Sequence, residues 1–99
     1  MAVGVQLDFI GSTLEQYDQG IERLGLLPGG PTAVEQLFHW VTKTDDGFRV
    51  IDVWDSREAF EGYLKAKILV VAPEVGVTEP PEITYFEVHN YLAGPRWRR

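Results

Sequence analysis

Residues 37–41 read LFHWV, and they set a histidine beside a tryptophan in a run otherwise suited to burial. In a strand, successive side chains point to opposite faces, so His39 and Trp40 meet different surroundings. His39 is one of two histidines in the 99-residue chain; the other is His89. An imidazole titrates near neutrality and can take a phenolic or enolic proton, which makes His39 the candidate general base. Asp52 is an acid inside the apolar run VIDVW, placed either to act as a base itself or to pair across the sheet with Arg49, Lys43 or a histidine. Trp54 closes that run. Trp40, Trp54, Tyr85 and Phe86 offer flat faces for an aromatic ligand, and Asn90, the only asparagine, or a histidine such as His89 would orient its polar edge. Aromatic side chains also supply the buried area that a small domain needs, so each has a packing explanation as well.

Other chemistries find little support. There is no cysteine, which removes disulfides, thiol nucleophiles and zinc ribbons and fits a reducing cytoplasm. No HxH or HxxxH pair suggests a metal, and no glycine-rich phosphate motif leads from a strand into a helix. The net charge of −6 argues against nucleic-acid binding, which needs clustered Lys and Arg. Only the tail Arg96-Trp97-Arg98-Arg99 is basic. No apolar stretch is long enough for a membrane span, and the N-terminal residues do not resemble a leader, so the chain reads as cytoplasmic.

The elements that must position these residues follow from hydrophobic period. Val3, Val5, Leu7 and Phe9 alternate as a strand does. Leu14, Tyr17, Ile21 and Leu24 recur at helical spacing after a Ser12/Glu15 capping box, which predicts a helix from about Thr13 to Leu24, stopped by Gly25. VEQLFHWVTKT and FRVIDVWD flank Asp45-Asp46-Gly47 and read as a hairpin. A two-residue Asp46-Gly47 turn would place His39 and Trp54 on one face; a three-residue turn with a glycine bulge would place Trp40 with Asp52 instead. A second helix begins at an Asp55/Glu58 capping box, carries Phe60, Tyr63, Leu64, Ile68 and Val71 on one stripe, and ends before Pro73. ITYFEVHNYLA then forms the fourth strand. The order βαββαβ is ferredoxin-like: residues 1–95 form one α+β domain with a four-stranded antiparallel sheet and two helices on one face, and residues 96–99 form a tail. The strands carry apolar side chains on both faces. A sheet-to-sheet homodimer would cover the face the helices leave bare.

With that order and with VIDVWDSREAFEGYLKAKI, where the third strand ends in Trp-x-Ser and runs into a helix, the chain resembles the dimeric α+β barrel superfamily, near its antibiotic biosynthesis monooxygenase-like domains. The resemblance spans nearly the whole chain. It implies a ligand pocket between the sheet and its own helices, and oxidation that uses Trp, Asn and Tyr side chains without a cofactor or metal. Trp54 matches the motif tryptophan, and Asn90 is the only asparagine available. Haem-degrading relatives bind iron through a histidine on the second helix, and SREAFEGYLKAKI has none. The superfamily also holds members without assigned activity, so a non-catalytic binding or interaction module stands beside the enzyme reading.

Overall fold

The computed structural model describes residues 1–94. The basic tail, Arg96 to Arg99, lies outside the described residues. Four strands, β1 (Val3–Ile10), β2 (Gln36–Thr44), β3 (Gly47–Trp54) and β4 (Glu82–Glu87), form an antiparallel sheet in the order β2-β3-β1-β4. Helix α1 (Leu14–Arg23) follows β1. Helix α2 (Arg57–Tyr63) follows β3 and continues through a π-helical turn (Leu64–Ile68) into α3 (Leu69–Glu74). This is the ferredoxin-like arrangement expected from the sequence.

The sheet has two unequal faces. Val5, Leu7 and Phe9 of β1 pair with Asp52, Val50 and Phe48 of β3, all on the helix side and all buried. Trp54, Phe60 and Leu64 complete the core there, with Trp54 edge-on to Phe60 at 5.8 Å between centroids. The bare side carries Gln6, Asp8, Arg49, Ile51 and Val53, flanked by Phe38, Trp40 and Phe86. The Arg49 guanidinium donates to Asp8 at 2.6 Å and holds that carboxyl below the usual carboxylate range.

Several boundaries depart from the sequence expectation. The hairpin turn is Asp45-Asp46, with Gly47 already paired to Thr44 in the sheet. Gly47 is needed for a close approach, since a Cβ there would lie 2.0 Å from the Phe9 carbonyl oxygen. The α1 capping box is Thr13/Gln16: Gln16 N–H donates to Thr13 Oγ1 and Thr13 N–H donates to Gln16 Oε1. The N-cap of α2 is Ser56, whose Oγ accepts from Ala59 N–H, while Asp55 N–H is used by the Glu35 carbonyl. Pro73 sits inside α3, near its end, where a missing N–H forfeits a single ladder bond. Strand β4 stops at Glu87, opposite Val3, the first residue of β1.

Candidate functional site

The hairpin register sets the site. His39 pairs with Asp52, so both side chains point toward the helices, and Trp54 lies two residues on along the same face. Trp40 pairs with Ile51 on the opposite side. Of the two arrangements open from sequence, His39 and Trp54 therefore share a face, and Asp52 joins them.

These side chains form a continuous hydrogen-bonded series. Trp54 Nε1–H donates to Asp52 Oδ2 at 2.9 Å, Asp52 Oδ1 lies 2.7 Å from His39 Nδ1, and His39 Nε2 lies 2.5 Å from the Tyr17 hydroxyl. Asp52 is only 3% exposed, and both its oxygens are engaged. With the carboxylate accepting from Trp54 and from His39 Nδ1–H, the imidazole presents its Nε2 lone pair to the Tyr17 O–H. Burial, reinforced by the negative charges of Asp52 and Asp18, pushes the Tyr17 phenol up to about 12, so it keeps the proton it donates. Helix α1 brings Tyr17 to this point through its inward stripe, and the ring stacks on His39 with 5.9 Å between centroids.

A backbone irregularity brings in one more group. Between Gln36 and Phe38 the β2 register shifts by one residue, and Glu35 adopts φ 69° just before it. The bulge turns Gln36 to the helix side, opposite Trp54, where an unbroken strand would have placed Leu37. The Gln36 Nε2 then lies 3.4 Å from His39 Nδ1.

Leu7, Val50, Ile21, Ile68, Val71 and Val75 wall an apolar cavity of about 100 Å³ between the sheet and the helices. Tyr17, Gln36, His39, Asp52 and Tyr63 place polar groups along its lining. Burial, with Asp52 nearby, also raises the Tyr63 phenol. Outside this cavity, a groove of about 1020 Å³ runs between α1, the 25–35 loop and the outer edge of β2. Tyr17, Ile21, Leu26, Gln36 and His39 line both spaces, so the polar series stands where they meet.

The residues singled out from sequence thus separate. His39, Asp52 and Trp54 come together. Trp40 and Phe86 lie on the bare face, about half exposed, although Trp40 borders the groove. Tyr85 is on the helix side, away from the cavity, donating to Glu61 at 3.0 Å with the Arg57 guanidinium 3.8 Å above its ring. His89 and Asn90 lie beyond β4, exposed, and do not line the cavity. Tyr17, Gln36 and Tyr63 are site residues that the sequence reading did not single out. Tyr17 was legible only as a phenol on an inward helical stripe, whose hydroxyl needs a partner when buried. Among the described residues no group of three or more His, Asp or Glu side chains is placed to hold a metal ion, and no helix is long and apolar enough to cross a membrane.

Neither a protein-family model nor a curated protein sequence matches the chain. Solved structures do. A putative antibiotic biosynthesis monooxygenase from Deinococcus radiodurans superposes with a TM-score of 0.54 at 16% identity, covering 94% of this chain and 97% of that one. SnoaB, a cofactor-independent oxygenase from Streptomyces nogalater, gives 0.53 at 16% identity over 94% and 96%. A monooxygenase from the gene ActVA-Orf6 of Streptomyces coelicolor, solved with the ligand nanaomycin D, gives 0.51 at 16% identity over 94% and 91%. The chain shares the α+β fold of these three structures, as the strand order implied.

Proposed function

We propose that this chain is a monooxygenase-like enzyme that binds a compact hydroxylated aromatic molecule between sheet and helices and oxidises it with dioxygen, without a cofactor. The observation that carries the reading is the Trp54–Asp52–His39–Tyr17 series ending at the cavity. A ligand hydroxyl placed at Tyr17 gives its proton to the phenol oxygen as the Tyr17 proton passes to His39 Nε2. The imidazolium that results is held by Asp52, which Trp54 fixes in turn. The ligand is left as an electron-rich anion. Dioxygen then oxidises a ring C–H carbon to a carbonyl: one oxygen atom enters the product and the other leaves as water. The two oxygenases of like fold support this choice of reaction class.

Size limits the ligand. Drug-sized pockets span about 300–1,000 Å³, whereas an engineered cavity of roughly 150 Å³ admits benzene. At about 100 Å³ the cavity takes part of one ring, and the remainder of a larger molecule would lie in the groove beyond Tyr17 and His39. The same small volume favours a second reading, a non-catalytic binding or interaction module with a closed interior. The active assembly in our reading is a homodimer formed through the bare sheet face, where Phe38, Trp40 and Phe86 are exposed. The absence of cysteine is in keeping with a cytoplasmic location.

Oxygen uptake with a panel of phenols and hydroquinones separates the readings. The enzyme reading expects substrate-dependent uptake that falls by about a hundredfold or more in His39→Ala, the scale of a lost general base. Uptake indistinguishable from autoxidation across the panel, with no ligand bound, would leave the interaction module.

A further inference from the structure

The bulge in β2 places a hydrogen-bond donor whose partner is already taken. Gln36 is 8% exposed, and its amide orientation is fixed, because Oε1 accepts from Ala33 N–H at 3.2 Å. Its Nε2 therefore faces His39, with Nδ1 at 3.4 Å. That ring nitrogen is also 2.7 Å from Asp52 Oδ1. A nitrogen whose proton goes to a carboxylate has no lone pair left in the ring plane, so it cannot also accept from an amide. The shorter, charge-assisted contact prevails. No other acceptor within hydrogen-bonding distance is found for Gln36 Nε2 among the described residues. The long contact to the imidazole is the one hydrogen bond found for Gln36 Nε2, so its two N–H groups retain capacity for an acceptor in the cavity that Gln36 lines.

The backbone holds this donor deliberately. Glu35 takes a left-handed conformation that a non-glycine residue seldom adopts, the register shifts immediately after it, and the Thr32 hydroxyl donates to the Gln36 carbonyl. Without the bulge the apolar Leu37 would occupy this place.

We propose that Gln36 binds the carbonyl oxygen of the ligand, and that the site selects aromatic rings whose hydroxyl is conjugated to a carbonyl. The inference rests on the reading of the cavity given above. A hydroxyl at Tyr17 loses its proton at one end of the imidazole, and conjugation carries the charge to the carbonyl at the other end, where the Gln36 amide receives it. A hydrogen bond that strengthens as charge develops favours the anion over the bound neutral ligand.

The test compares para-hydroxybenzaldehyde with para-cresol, two rings of one size that differ in the carbonyl. Calorimetry on the whole chain should show tighter binding of the aldehyde. Gln36→Met should weaken the aldehyde about tenfold and leave the cresol within about twofold, as expected for losing a hydrogen bond to a charged acceptor. In the wild type the absorbance of bound para-hydroxybenzaldehyde should show its phenolate at lower pH than in water, and the variant should abolish that shift. Gln36→Glu keeps the oxygen that Ala33 uses and removes the donor, so it should lose the preference even if Gln36→Met folds poorly. Glu35→Gly keeps the left-handed backbone and should retain it. Equal affinity of the two rings for the wild type, or a preference unchanged in both Gln36 variants, would overturn the inference and leave the cavity reading standing. Binding of neither ring would overturn both.

Discussion

Tyr17 shows how a residue can be plain in sequence and its role hidden. Its spacing with Leu14, Ile21 and Leu24 marks an inward face, yet nothing local says that its hydroxyl meets a histidine twenty-two residues away. Gln36 is less legible still, because an unbroken alternation through EQLFHW would send it to the other face, and only the bulge reverses that. Asp52 was readable as an acid that pairs across the sheet; which partner it takes depends on register. The elevated Tyr17 phenol has a measurable consequence. Its folded value of about 12 lies above the ordinary 10.0, so between those limits the unfolded chain releases a proton that the folded chain keeps. The unfolded state then binds fewer protons, and stability falls as pH rises through that window, having been unaffected below it. Denaturant melts at increasing alkaline pH should show this loss, and Tyr17→Phe should make it shallower. Tyr63 and Tyr85, also raised, account for the part that remains.

At the scale of elements, hydrophobic period identified all four strands and both helical segments, because each buries one face against the other layer. What period cannot convey is how an element ends. Thr13 and Ser12 are both competent caps, and the choice of Thr13 follows from where the Leu14 turn begins. Strand β4 stops at Glu87, opposite the first residue of β1, and that end cannot be seen in ITYFEVHNYLA. The consequence reaches the site, since His89 and Asn90 were placed in a strand and lie instead beyond it. The π-helical turn has no sequence signature, yet it lies between Tyr63 and Leu69 and its last residue, Ile68, joins Tyr63 in lining the cavity. Gly47 reads as a turn glycine and acts as a contact glycine. Gly47→Ala should destabilise the chain by about 3 kcal/mol or more, in the upper range for overpacking, because the backbone of β1 would have to move. Urea denaturation measures it directly, and a change within experimental error would contradict the close approach at Phe9.

The whole molecule divides its labour between two sheet faces. The covered face holds the cavity and the polar series, and the bare face presents aromatic side chains around the Asp8–Arg49 pair. Burying Trp40 in a second copy would remove a large side chain that is 48% exposed in the single chain. Trp40→Glu should therefore shift the chain from dimer to monomer in sedimentation, while leaving the helix-side core intact by near-ultraviolet circular dichroism. A monomeric wild type would remove the dimer from the account without touching the cavity. Strand alternation gives each strand residues on both faces, which is why LFHWV carries a histidine and a tryptophan side by side.

In the proposed reaction a ligand in the cavity delivers its proton, by way of Tyr17, to His39. Nitrogen-15 NMR of labelled histidine follows this directly, because the chain has only two histidines and the exposed His89 serves as an internal reference. At neutral pH, where the free ligand is still largely protonated, adding para-hydroxybenzaldehyde should convert the His39 signals from the Nδ1–H tautomer to the imidazolium, leave His89 unchanged, and bring up the phenolate absorbance in step. Saturable binding with His39 still in its Nδ1–H form and the ligand still protonated would contradict the claim.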